Sequence, residues 1–177
     1  MRYLIATLLT TATLFSANLT FSEGSVGVKT SILGDSNINP SSSKIVSQLT
    51  MDKGDVTTLK GSVDVSLVEL KSDNEDRDEH MHETINVEKY TKTIYTISSV
   101  VKNTAGSYNI NGKLNLHGIT KEVNLLGEVS ESGDKVTIKA KTSFKMSDFG
   151  IEPPTLLFLT VRDQLDMTIN TTYTIEP

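Results

Sequence analysis

The chain has 177 residues, no cysteine, no tryptophan and a formal net charge of -5 at pH 7. The length suits one domain with its own core, and the lack of thiols excludes a disulfide framework, a cysteine nucleophile and lipid attachment at a cysteine. Acidic charge spread along the chain speaks against nucleic acid, which needs clustered Lys and Arg for its phosphates, and against docking on an anionic membrane surface.

Met1-Arg2, the threonine-diluted apolar stretch Tyr3 to Phe15, and small residues at Ser16-Ala17 and Phe21-Ser22 have the layout of an export leader. The expectation is a signal peptide over 1–22, cut near 17–22, followed by one domain over 23–177. An N-terminal strand or an uncleaved anchor is the other possibility, although the stretch is short for a spanning helix.

Beyond it the chain alternates apolar and polar residues, the mark of half-buried antiparallel strands. Val26, Val28 and Ile32 begin a first strand, and a turn-rich loop follows from Gly34 to Ser43. Ile45, Leu49 and Met51 make a second strand, and Leu59, Val63, Val65 and Leu67 a third. Residues 73–90 break the pattern as a short helical or irregular insertion. Tyr95, Ile97 and Val101 give the fourth strand, and Tyr108, Ile110, Leu114 and Leu116 the fifth. Val123, Leu125 and Val129 follow, then Val136, Ile138, Ala140, Phe144 and Met146, and lastly Leu165, Met167, Ile169, Tyr173 and Ile175. Eight up-and-down strands close most economically into a single all-β antiparallel barrel, because closure removes exposed edges.

Alternation does not say which face points inward. A membrane barrel needs aromatic girdles, and this chain has only five Phe and five Tyr, with Pro153-Pro154 interrupting the series. The apolar face is therefore placed inside, with no stable membrane insertion. An interior of Val, Ile and Leu suits an aliphatic guest better than a flat one that must stack, unless those side chains simply fill the barrel.

Three blocks stand out: the charged run Leu70 to Met81, the stretch Gly112 to Val123, and Ser147-Asp148-Phe149-Gly150-Ile151. Together, in this order, they resemble the YceI-like family of bacterial cell-envelope proteins. The resemblance implies a lipocalin-like barrel, exported to the periplasm or secreted, that holds a long isoprenoid or fatty-acyl chain and has neither catalytic activity nor a cofactor. It places the family's Arg-Asp-x-His loop on Arg77, Asp78 and His80, its preceding hydroxyl on Ser72 where Thr is usual, and its Asp-Phe-Gly block on Asp148, Phe149 and Gly150. Met146 stands where the family commonly has Arg, Tyr90-Thr91 replaces Tyr-Pro, and the aromatic-rich opening strand is reduced.

The candidate ligand-binding set is Val63, Val65, Tyr108, Ile110, Leu114, Leu116, Phe144 and Met167 as liners, Arg77 and His80 near a polar end, and Ser72, Asp78 and Phe149 from the matched blocks. Each has a structural alternative. Arg77 and Asp78 could pair to close one end of the barrel, Asp148-Phe149-Gly150 could be a strand terminus, and His117-Gly118 reads as a hairpin turn. His80-x-His82 could point two imidazoles at a metal from an extended segment but lacks a third ligand, so no metal is expected. Ser72, Asp78 and His80 are the ingredients of a hydrolase, yet Gly-x-Ser-x-Gly is absent from the chain. Two functions follow: a carrier or sequestering protein for a long apolar lipid such as a polyisoprenoid, a quinone tail or a fatty-acid derivative, or an envelope stress or interaction protein with a filled barrel and a protein partner. A homodimer is compatible with either.

Overall fold

The fold is that of a computed structural model, which describes residues 16–32, 35–156 and 158–176. Among them eight long strands form one closed antiparallel barrel: β1 (Ser16–Ile32), β2 (Ile45–Asp52), β3 (Asp55–Ser66), β4 (Lys92–Lys102), β5 (Tyr108–Leu116), β6 (Ile119–Ser132), β7 (Lys135–Lys145) and β8 (Gln164–Ile175). Each strand pairs with the next in the chain, except that β7 reaches β8 across the segment 146–163. β8 then pairs with β1 from Leu19 opposite Ile175 to Lys29 opposite Asp166. The apolar face is inside, as the composition requires. On β5, Ile110, Leu114 and Leu116 are buried while Asn109 and Lys113 face water, and Glu122, Lys139 and Lys141 hold outward positions on β6 and β7.

The ring is uneven between its first two strands. β1 and β2 pair only over Ser16–Leu19 and Leu49–Asp52. Above that they diverge, and two short strands fill the gap: Ser41–Ser42 pairs with Val26 and Gly27, and Asp35–Ile38 pairs with Thr30 and Ile32. The turn-rich loop expected between Gly34 and Ser43 thus carries wall-forming strands. β1 also starts ten residues before Val26, at Ser16, and Leu19 is only 2% exposed between its partners on β2 and β8. The leader expectation for residues 1–15 lies outside the described residues.

One inward assignment is corrected. A bulge in the β4–β5 ladder between Ile97 and Ser99 adds a residue and reverses the alternation. Val100 is therefore buried and Val101 is 51% exposed.

The insertion is a helix, α1 (Glu75–Thr84). Asn74 caps it, its side-chain oxygen accepting from the Arg77 N–H at 2.9 Å, and Glu75, Asp76 and Asp78 place negative charge in the first turn, where the helix dipole favours it. Two side chains fasten it to the chain after β3: both carboxylate oxygens of Asp78 accept from the Ser72 N–H at 3.0 and 2.8 Å, and His82 Nε2 lies 2.8 Å from the Leu70 carbonyl. Arg77, Met81 and Thr84, at helical spacing, share the face turned toward the barrel.

The two halves of the interior differ. The half containing the β2–β3, β4–β5 and β6–β7 turns is solid, with Leu49, Met51, Leu59, Val136 and Tyr173 fully buried in one cluster. The half beneath α1 is hollow.

Candidate functional site: an apolar cavity beneath α1

A cavity of about 480 Å³ occupies the upper half of the barrel, within the range of small-ligand sites. Its walls are inward-facing residues of six of the long strands, among them Val26 and Val28 of β1, Val65 of β3, Thr93 of β4, Leu114 and Leu116 of β5, Phe144 of β7 and Met167 of β8. α1 covers it with Met81 and Thr84, and Ile85 follows just past the helix. The segment 146–163 contributes Met146, Ile151, Pro154 and Val161. Polar atoms gather at the helix side, where Arg77, His80 and Glu83 border the space. A short hairpin, Thr155–Leu156 with Leu159–Thr160, springs from this rim and carries Phe158 at 99% exposure.

The segment 146–163 is held in place at both ends. Ser147–Phe149 forms a 3-10 turn that ends on Gly150 at φ 66°, the strand-terminus role foreseen for Asp148-Phe149-Gly150. Asp163 accepts from the Ser147 hydroxyl at 2.6 Å and from its N–H at 2.9 Å, and these bonds hold the Asp163 carboxyl below the usual carboxylate range. The Phe149 carbonyl lies 3.2 Å from His117 Nδ1, and the Phe149 ring meets Phe144 edge-on at 5.3 Å. His117 (φ 52°) and Gly118 (φ 77°) form the two-residue turn between β5 and β6, a conformation that suits Gly and strains most other residues.

Tyr95 is the largest polar feature inside the barrel near the cavity. It faces inward on β4 directly below Thr93, which lines the space. Its hydroxyl lies 2.9 Å from the Ile110 carbonyl and 2.8 Å from the Val123 carbonyl, so its one proton is shared between two acceptors. Burial, and secondarily the charge of Glu122, push its ionisation far above the ordinary tyrosine range.

Of the candidate residues, the cavity brings together Val65, Arg77, His80, Leu114, Leu116, Phe144 and Met167. Val63 faces inward one step below Val65, opposite Tyr95, and packs on the core. Tyr108 and Ile110 belong to the solid half. Asp78 is taken up by the Ser72 backbone N–H, and Phe149, buried in the core, meets the Phe144 ring edge-on. Ser72, Asp78 and His80 form no relay: His80 Nδ1 is 2.7 Å from the Asp76 carbonyl, and Asp78 is turned to the Ser72 backbone. His80 and His82 sit two apart on a helix, not on an extended segment, and bond to different carbonyls. Among the described residues no group of three or more His, Asp or Glu is placed to hold a metal ion.

Val26, Val28, Met81, Met146, Leu165 and Val161 line the cavity but were not in the sequence-based set. Alternation marks Val26, Val28 and Leu165 as inward without giving their height in the barrel. Met81 and Ile85 share a helix face, visible once residues 75–84 are read as a helix. Met146, where the family resemblance leads one to expect Arg, adds a thioether to the wall in place of a charge.

Comparison with known proteins agrees with this architecture. A UPF0312 protein of Shewanella oneidensis is 32% identical over 109 residues, covering 57% of each chain, so the match spans little more than half of that relative's length. A UPF0312 protein of Pseudomonas putida is 31% identical over 71% of this chain and 70% of its own. The crystal structure of Burkholderia cenocepacia BcnA superposes with a TM-score of 0.74 at 14% identity, over 84% of this chain and 95% of that one. A polyisoprenoid-binding domain from Saccharophagus degradans, implicated in plant cell wall breakdown, gives 0.63 at 10% identity, over 93% of this chain and 100% of its own. At such identities these structures speak to the fold. The YceI-like domain model matches residues 17–173, and the chain is a member of the YceI-like family.

Proposed function

We propose that this protein binds a long-chain apolar lipid, such as a polyisoprenoid, a quinone tail or a fatty-acyl derivative, and sequesters or carries it in the cell envelope. The observation that carries the proposal is a cavity of about 480 Å³ walled by aliphatic side chains, closed below and roofed by a helix whose Arg77 and His80 border it. The mechanism is burial, with no bond made or broken. At about 25 cal/mol per Å² of apolar surface removed from water, covering a few hundred Å² of alkyl chain offers several kcal/mol before ordering costs, enough for roughly micromolar binding. Membership of a family with a polyisoprenoid-binding structural neighbour supports the same ligand class. The leader-like start supports export to the periplasm or the medium. Because Leu19 and its neighbours belong to β1, the cleavage we propose lies at the early end of the expected window, near Ser16-Ala17.

The test is native mass spectrometry of the protein purified without detergent from its own host, followed by organic extraction. A stoichiometric long-chain lipid is the expected result. A protein that arrives empty and takes up no polyprenol, quinone or fatty acid would refute lipid binding and turn attention to the outer surface. There Glu75, Glu79, Glu83 and Glu88 border a shallow groove with Lys71, a place for a protein partner.

A further inference from the structure

The two ends of the barrel differ in the polarity of their connections. At the solid end the turns are Lys53-Gly54, Asn103 to Ser107 and Gly133-Asp134, and none of them carries an exposed large apolar side chain. At the cavity end Val68 after β3, Ile119 at the start of β6, and Phe158 and Leu159 on the short hairpin are all exposed. Ile119 reaches the segment that bears the hairpin, its Cδ1 lying 3.2 Å from the position a Cβ on Gly150 would take. The base of the hairpin is fixed. The Val161 N–H donates to the Pro154 carbonyl at 2.9 Å, the Thr155 and Thr160 hydroxyls meet at 3.0 Å, and the Arg162 N–H donates to the Ser31 carbonyl of β1 at 2.8 Å. Pro154, Thr155 and Val161 line the cavity itself. At the tip Phe158 has φ 73°, a left-handed conformation that a bulky side chain adopts only at a cost, and it is 99% exposed. Neither burial nor backbone geometry accounts for a phenyl ring there. No charged residue lies between Pro153 and Val161.

We propose that this hairpin is a membrane-contacting tip, in which Phe158, with Leu159 beside it, enters the interface of a phospholipid bilayer and brings the rim of the cavity against it. The contact stands on the hairpin itself and rests on the lipid-binding proposal only for its purpose, the exchange of a chain between bilayer and cavity. A stable protein interface takes about 800 Å² from each partner, whereas one aromatic side chain offers about 150 to 250 Å². A bilayer accepts such an isolated apolar side chain without any matching shape, and the strength of the contact follows the apolar area buried. Charge narrows the partner further. The connection 67–91 at this end of the barrel has more acidic than basic residues, and Glu75, Glu79 and Glu83 border its outer groove, which sets this end against anionic headgroups and toward a neutral bilayer.

The chain has no tryptophan, so Phe158→Trp places a single indole at the tip, and Val101→Trp places one on the exposed outer face of β4 near the solid end. With unilamellar vesicles of phosphatidylcholine, the emission of Phe158→Trp should move to the blue and be quenched by brominated acyl chains, and that of Val101→Trp should do neither. Phe158→Asp should weaken co-sedimentation with the vesicles roughly tenfold to a hundredfold, the worth of burying one phenyl ring. Its circular dichroism, and its affinity for palmitate added without vesicles, should match the wild type. Added salt should leave vesicle binding unchanged, and phosphatidylglycerol should not raise it. An indole at 158 that stays in water beside vesicles, or a Phe158→Asp variant that sediments as the wild type does, overturns the membrane tip and leaves the cavity as a lipid site. A blue shift that grows with protein concentration in the absence of vesicles assigns the tip to a contact between copies and overturns it too. Vesicle docking by a wild type that takes up no palmitate or other long chain supports the tip and overturns the lipid-binding proposal instead.

Discussion

Filling the cavity from within should stabilise the protein and weaken its grip on lipid together. Val28 lines the space from β1, opposite Met167 on β8. Val28→Phe adds four carbons to the side chain, directed into a void of about 480 Å³. At about 0.8 kcal/mol for each carbon withdrawn from water the ceiling is about 3 kcal/mol, and imperfect packing of a new ring reduces it to about 1 to 2 kcal/mol. For a domain of this size each kcal/mol shifts the melting temperature by roughly 2 to 4 °C, so the delipidated variant should melt about 2 to 8 °C higher. The same ring takes up space that about four methylenes of a bound chain would otherwise fill. A sixteen-carbon fatty acid loses about 3 kcal/mol of burial, near a hundredfold in affinity. Differential scanning calorimetry without lipid and isothermal titration with palmitate measure the two quantities. A lower melting temperature with unchanged affinity would show that the space is not where the wall residues put it.

Charge should discriminate the hollow half from the solid one. Ile110→Lys buries an unpaired charge in close packing and should unfold the barrel, whereas Leu114→Lys, on the cavity wall, should keep its strand circular dichroism and lose lipid uptake; equal behaviour of the two would contradict the division. Gly112→Ala puts a methyl 2.4 Å from the Thr96 carbonyl oxygen and against the Tyr95 ring, so the urea midpoint should fall by an amount equivalent to about 3 kcal/mol or more, and an unchanged midpoint would refute the close approach. Alkaline pH should unfold the protein through Tyr95 and Tyr173, whose ionisation burial pushes upward. Below about pH 10 both states keep these protons and no pH term arises. Above it the unfolded chain releases them while the folded one does not, so stability falls by up to about 1.4 kcal/mol per pH unit per tyrosine, less where Tyr95 meets solvent. Urea melts between pH 9 and 12 should show a shallower loss in Tyr95→Phe and Tyr173→Phe; an identical slope in both variants would count against it.

Strand existence and inward faces were legible because a buried barrel wall imposes a period of two. Val63, Val65, Leu114 and Leu116 are inward as the alternation requires. Val101 was misplaced because a bulge shifts parity without leaving a composition signal. Height along the barrel was the larger loss. Ile110 and Leu114 are equivalent in pattern, yet one is packed solid and the other faces the cavity, and the difference depends on what the neighbouring strands place at each height. Arg77 and His80 were found through the family resemblance, and Asp78 came with them although its carboxylate serves the Ser72 backbone. Met146 shows the same limit from the other side, since the sequence marks a missing Arg but not that the replacement joins a wall.

The seam between β1 and β8 joins positions as far apart in the chain as Leu19 and Ile175. The hairpins from β2 to β7 can form from local contacts, but the ring closes only when the last strand meets the first, and long-range pairing of this kind is slow, on a scale of milliseconds to seconds. Until then two strand edges stand open to other chains. Val26 and Val28 stand on one side of that seam and Leu165 and Met167 on the other, all four on the cavity wall. The cavity therefore does not exist in any partly folded species, and a lipid that enters it acts as a clasp on the final step, holding the seam shut and slowing its reopening.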